Sequence, residues 1–326
     1  MHRKHVVVVS ILVVLAWFTC IGTGWCQSQQ YPSRQLTYLI PFDPGGQSDV
    51  EARRQQPHLS RILGQQVIID YKVGGGGALG WRELAKSKPD GYLFAGFNIP
   101  HTILQPLQQN VGYQTEQLVP VAIFQKTPIG LAVPAESPYK TLKDFVEAAK
   151  KEPGKITVGG SSFFSGPHFA AMLFDKLAGI KVSYVPFTGA APQITALLGG
   201  HTDAGMCFSN DLVRFKDKLR ILAMATDERM EGFSDVPTFK ELGYDLVESV
   251  DRGVIVPPKT PAEIIKKLEA AFLEIAANPE IQAEMKKQGF VPIRIGAADS
   301  KAYLDKLTAH YRALFKEVEA ATKSSK

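Results

Sequence analysis

The chain has 326 residues, 45% of them hydrophobic, and a formal charge of +5 that includes Arg3 and Lys4. Its lysines and arginines are interspersed with acids, as in Lys266-Lys267-Leu268-Glu269, which describes a solvated surface and argues against a nucleic-acid partner. Of the three cysteines only Cys207 lies well beyond the N-terminal region, so neither a disulfide framework nor a cysteine-based metal site is expected.

Met1 to His5 is basic, Val6 to Phe18 is almost wholly apolar, and small and polar residues follow through Gln30. This order predicts a secretory signal peptide over 1–26; a membrane-spanning helix needs ~20 apolar residues, more than this run supplies. Cleavage fits after Gly24 or after Cys26. Trp25 is too large for the residue before a lipidated cysteine, which argues against an anchor at Cys26.

Strands and helices then alternate. Leu36 to Phe42 reads as a strand and Ser48 to Leu63 as a helix. Val67 to Tyr71 (strand), Trp81 to Lys88 (helix) and Tyr92 to Phe97 (strand) follow. A second block repeats the pattern, with Thr141-Leu-Lys-Asp144 as the cap of a helix to Lys151. Strands are expected at Ile156–Val158, Val182–Pro186, Asp203–Phe208 and Leu219–Ala225, with helices at Pro167–Leu177 and Ala191–Leu198. Val254 to Pro258 is a strand, Thr260-Pro261-Ala-Glu263 reads as a capping box, and three amphipathic helices close the chain. This spacing predicts an α/β protein with mainly parallel sheets. Extended stretches near Val119–Pro134 and Val247–Pro257 read as crossings between two lobes: 27–125 with 248–326, and 126–247.

Four loops place small residues between a strand and a helix start: Pro44 to Asp49, Gly74 to Gly77, Gly159 to Gly166, and Thr188 to Ala191. Helix starts present unpaired N–H groups and a positive dipole end, so together these loops suggest an anion cleft. Gly75, Gly77 and Gly80 also fit a dinucleotide fingerprint, the basis of a rival oxidoreductase reading. Asp90 sits in a Pro-Asp-Gly turn, the wrong place for ribose recognition. An exported hydrolase using Ser161 and His168 is the other rival, although no third member is identifiable. The histidines lack metal-ligand spacing, no nucleophile elbow is present, and no cofactor or catalytic residue is assigned.

Ile40-Pro-Phe-Asp-Pro-Gly-Gly-Gln-Ser-Asp49 with Ala52-Arg53, Pro89-Asp-Gly-Tyr92, Ser161 to His168, Val185 to Pro192 and Leu197 to Asp203 resemble, in order, the motifs of the tripartite tricarboxylate transporter receptors, or Bug proteins. The resemblance spans the mature chain. It implies a two-lobe periplasmic binding protein fold (type II-like) with two crossover hinge segments, expected here to act as a monomer in the periplasm. It also implies a small di-, tri- or aromatic carboxylate as ligand and a two-component membrane permease as partner. Carried onto this chain, it points to Gly45, Gly46, Asp49, Ser161, Ser165, Gly166, His168, Thr188, Gly189 and Ala190 at the ligand, with Asp203 beside the cleft. Phe163 and Phe164 stand where family members often have small residues; with Asn98 they are candidates for specificity.

Overall fold

Strand β1 (Leu36–Ile40) pairs in parallel with β2 (Val67–Tyr71) and β3 (Leu93–Ile99) in a computed structural model that describes residues 31–324. The predicted signal peptide and Cys26 lie outside the described residues. Helices α1 (Gln47–Leu63) and α2 (Ala78–Lys86) make the crossovers that parallel neighbours require. They bury Leu59, Leu63, Trp81 and Leu84 against the sheet, each worth about 1.5–3 kcal/mol relative to exposure. Helix α3 (His101–Gln108) follows β3 directly and is not evident from the sequence, because Pro106 inside it reads as a breaker.

The long strand β4 (Val119–Pro134) leads into α4 (Leu142–Lys151), whose predicted cap is present: Thr141 Oγ1 accepts the Asp144 N–H and the Asp144 carboxylate accepts the Thr141 N–H. Then come β5 (Thr157–Gly160), α5 (Gly166–Ala178), β6 (Ser183–Pro186), α6 (Ala190–Leu198), β7 (Ala204–Phe208), the short α7 (Ser209–Arg214) and β8 (Leu219–Met224). The chain returns through β9 (Ser249–Val256), α8 (Ala262–Ala277), α9 (Pro279–Lys287), β10 (Val291–Gly296) and α10 (Ala297–Ser324). The expected capping box at Thr260 does not form. Pro261 takes the cap position, and the Thr260 hydroxyl donates to the Pro257 carbonyl instead.

The strands follow the order β2-β1-β3-β9-β4-β7-β5-β6, with β10 and β8 also on β4. Parallel pairing is confined to β1–β3 and β5–β7; β4 and β9 pair antiparallel with each other and with their other neighbours. The first part of β4 lies between β9 and β10, and its last part lies between β7 and β8. Separate apolar cores form on the two sides, one around Trp81, Phe97 and Ile123, the other around Phe145, Phe174 and Phe239.

Where β4 and β9 cross from one core to the other, backbone bonds join Ile129, Ala225 and Glu248. Helix α10 packs beside this junction: Tyr311 donates to Glu248 (3.0 Å) and Tyr303 to Asp251 (2.5 Å). It also reaches α5 through the Phe169–Tyr311 ring pair, so it touches both sides.

Gly253 lets β9 lie close on β4. A Cβ there would fall on the Ala122 carbonyl oxygen and 2.5 Å from Phe97 Cε1, both fixed in the core. Gly253→Ala is therefore expected to destabilise by about 2 kcal/mol or more, read from denaturant unfolding. Burial raises the Glu248 pKa to about 8. The folded carboxyl then stays protonated while the unfolded one ionises, so stability is lost as pH rises from the ordinary carboxylate range toward 8. The melting temperature of Glu248→Gln should accordingly gain on that of the parent as pH is raised from 5 to 8; a constant difference would contradict this.

Candidate ligand-binding site

The parallel strands on both sides end toward one another. The turns after β1 and β3 meet those after β5, β6 and β7 around a cavity, the position that parallel α/β sheets offer to ligands. The first side contributes Phe42, Asp43, Gly46 to Ser48 at the start of α1, Asn98, His101 and Arg252. The second contributes Ser161, Gly189 to Ala191 at the start of α6, and Phe208. Two helix N-termini therefore converge on one space, each with unpaired N–H groups and a positive dipole end. That space is narrow, about 20 Å³, or room for about one water molecule.

Polar groups inside it lack partners. The amide of Gln47, Nδ1 of His101, Oγ of Ser161 and Nε of Arg252 are buried without a hydrogen bond among the described residues. Buried polar atoms are paired in the great majority of cases, so such a concentration marks a place built for something else to bind. Burial, with Arg252 adding to it, lowers the His101 pKa to about 3, leaving a neutral imidazole. Burial also lowers Arg252 to about 9, so it remains cationic at neutral pH. A larger groove of about 740 Å³ runs between Val213–Val236 and α9, but none of its lining side chains is a buried polar group without a partner.

Of the residues expected at the ligand, Gly46, Ser161, Gly189 and Ala190 lie on the cavity wall, as does Asn98. The others do not, for identifiable reasons. Gly45 adopts φ +77° and spends its N–H on the Asp49 carboxylate (2.8 Å). Asp49 is filled by that bond and by Arg53 and Tyr71. Burial opposes its ionisation, but those hydrogen bonds hold its carboxyl below the usual range. It fastens the loop. Ser165 is fully buried and caps α5, accepting the His168 N–H and donating to the Ser162 carbonyl. Gly166 gives α5 clearance from Val250, whose Cγ2 would lie 2.6 Å from a Cβ.

His168 accepts the Phe164 N–H on Nδ1, and its ring packs 4.4 Å from that of Tyr184. Burial lowers its pKa to about 4, and it makes no bond to Ser161. Asp203 binds Thr157 N and Oγ1 at the opposite ends of β5 and β7, far along the strands from the cavity. Phe163 is 51% exposed, and Phe164, held at φ +54°, packs on His168 and on Phe315 of α10; neither ring lines the cavity. The glycines of the dinucleotide fingerprint are also off the wall, with Gly77 pressed on Trp81 and Gly80 on Pro41.

Sequence reasoning missed Asp43, His101, Phe208 and Arg252. Only Asp43 had a local signal, its place beside the Pro44-Gly45-Gly46 turn. Thr188 stands at the mouth and donates to Asp43 (2.8 Å), a direct bond from one side of the cavity to the other.

The model of the tripartite tricarboxylate transporter family receptor matches residues 51–319. The chain belongs to that family. A Cupriavidus necator protein described as the UPF0065 protein in the gbd 5′ region is 30% identical over 273 residues, 82% of each chain. BugT of Bordetella pertussis is 30% identical over 81% of this chain and 82% of its own. In fold, the receptor matches the periplasmic binding protein BugD with a TM-score of 0.84, at 24% identity over 89% of this chain and 99% of that one. MatC of Rhodopseudomonas palustris with bound malate gives 0.82, at 24% identity over 87% and 99%. The fold is thus the two-lobe periplasmic binding protein fold, and the receptor is a solute-binding protein of an extracytoplasmic transport family. Among the described residues no helix is long and apolar enough to cross a membrane.

Thr188→Val removes the bond across the mouth. The protein loses an exposed hydrogen bond to a carboxylate, worth about 0.5–1.5 kcal/mol once solvent screening is allowed for, so ligand affinity measured by calorimetry should fall roughly two- to tenfold with the ligand's stoichiometry unchanged.

Proposed function

We propose that this receptor captures a small carboxylate-bearing organic acid in the cavity between its two sides and hands it to a two-component membrane permease. The observation that carries the reading is the convergence of the α1 and α6 N-termini on a cavity whose buried Ser161 hydroxyl and Gln47 amide have no hydrogen-bond partner among the described residues. A carboxylate satisfies such donors, and helix ends favour its charge without a neutralising lysine. The family's name as a tricarboxylate transporter receptor and the malate in a protein of the same fold agree with that chemistry.

Residues 27–125 with 248–326 act as one lobe and 126–247 as the other, hinged where β4 and β9 cross. The cavity is too narrow for an acid to enter, so capture requires the lobes to part and then reclose. Closure gains population because only the closed form presents donors from both lobes. The protein works as a periplasmic monomer, exported by residues 1–26, and without a cofactor. It acts as a receptor and not as an enzyme: Ser161 Oγ makes no hydrogen bond to a base among the described residues, and Nδ1 of His168 is occupied by the backbone.

The test is a thermal-shift and calorimetric screen of the protein from Gln27 against mono-, di- and tricarboxylates, aliphatic and aromatic, after unfolding and refolding to strip any bound solute. At least one acid should raise the melting temperature by mass action. Ser161→Ala should weaken it about tenfold or more, the worth of a hydrogen bond to a charged group. A correctly refolded protein that responds to no acid would overturn the reading.

A further inference from the structure

We propose that Arg252 is the ion-pairing residue of this cavity, receiving one carboxylate of the captured acid, so that full negative charge is selected at that end of the ligand. The inference rests on the organic-acid reading and adds to it the residue that sets the charge requirement.

Arg252 projects from the middle of the sheet, where β9 stands between Asn98 of β3 and Gln125 of β4. Only 4% of it is exposed. Its side chain reaches the first turn of α1, where Nη1 donates to Ser48 Oγ (3.0 Å), and its guanidinium lies 5.5 Å from the Phe208 ring centroid, on the opposite side of the cavity. Nε makes no bond among the described residues.

A guanidinium removed from water costs several kcal/mol unless an anion is placed against it. Two of the nearby carboxylates are engaged elsewhere. Glu51 pairs with Arg54 and accepts from Gln55, and Asp251 accepts from Ser249 and Tyr303. Asp211 lies on the neighbouring groove, not on this wall; its charge, like that of Glu51, favours the guanidinium from a distance, but among the described residues neither forms an ion pair with it. Among the described wall residues Arg252 is the one cation, and Asp43 at the mouth is the one anion. That polarity orients an incoming acid with a carboxylate toward Arg252. The planar fork of the guanidinium suits a carboxylate better than a point charge would.

The experiment is calorimetry with the acid found in the screen and with its carboxamide analogues, each carboxylate being replaced in turn. The proteins are the parent, Arg252→Gln and Arg252→Lys, each first shown to melt cooperatively. In the parent, one replacement should cost at least tenfold in affinity. Arg252→Gln should bind the acid about 10–100-fold more weakly, the range for charge-assisted bonds, and should discriminate acid from that amide by less than threefold. Arg252→Lys should restore part of both. Acid affinity in Arg252→Gln within threefold of the parent, or undiminished discrimination, would overturn the proposal. If Arg252→Gln does not fold, the parent's discrimination and the Arg252→Lys affinity decide: discrimination below threefold, or a lysine variant indistinguishable from the parent, overturns it. Binding of no acid by the parent would instead remove the organic-acid reading itself.

Discussion

The antiparallel pairing of β4 with β9 is the constraint on which the rest depends. Both strands run from one apolar core to the other, so a single ladder is shared by two sheets that otherwise have separate parallel strands. The contact is close because Gly253 has no side chain to hold it off Ala122 and Phe97. Since the crossings fix both groups of parallel strands relative to one another, the turns after β1 and β3 face those after β5, β6 and β7. The cavity is a consequence of that placement.

Loop chemistry then gives the cavity its sign. Asp49 closes the first loop by accepting from Gly45, Arg53 and Tyr71, and this leaves the start of α1 directed at the cavity. Ser165 does the equivalent work for α5, which stands behind the wall. These polar residues serve the ligand at one remove, by holding the backbone whose N–H groups face it. The donors on the wall itself are neutral, with Arg252 as the exception.

A receptor must also release what it captures. In the proposed capture cycle, helix ends, a neutral His101 and single hydroxyls each add a modest contribution beside Arg252, and parting of the lobes would remove them together. The Thr188–Asp43 bond at the mouth also joins the two sides of the cavity, and that cycle would break it too. Helix α10, touching both sides through Tyr311 where β4 and β9 cross, packs against the crossing strands.

Much of this was legible in the chain. Strand and helix periodicity, the Thr141 cap and the glycine turns are local, because hydrophobic spacing and capping act within a few residues. The placement of Gly46, Ser161, Gly189 and Ala190 on the cavity followed from loops that end parallel strands. What was not legible was which polar side chain faces inward. Asp49, Ser165 and His168 looked like ligand contacts, and Asp203 like a neighbour of the cleft, but all four are used up by nearby backbone and side chains, and Phe164 turned to Phe315, 151 positions away in the numbering of the chain. Arg252 and Phe208, 44 positions apart in the numbering of the chain, carry no local signature at all. The sequence by itself determined the elements and the anion-attracting loops; only the tertiary structure decided the wall, because burial and hydrogen-bond saturation are set by residues that meet through folding, not by neighbours along the chain.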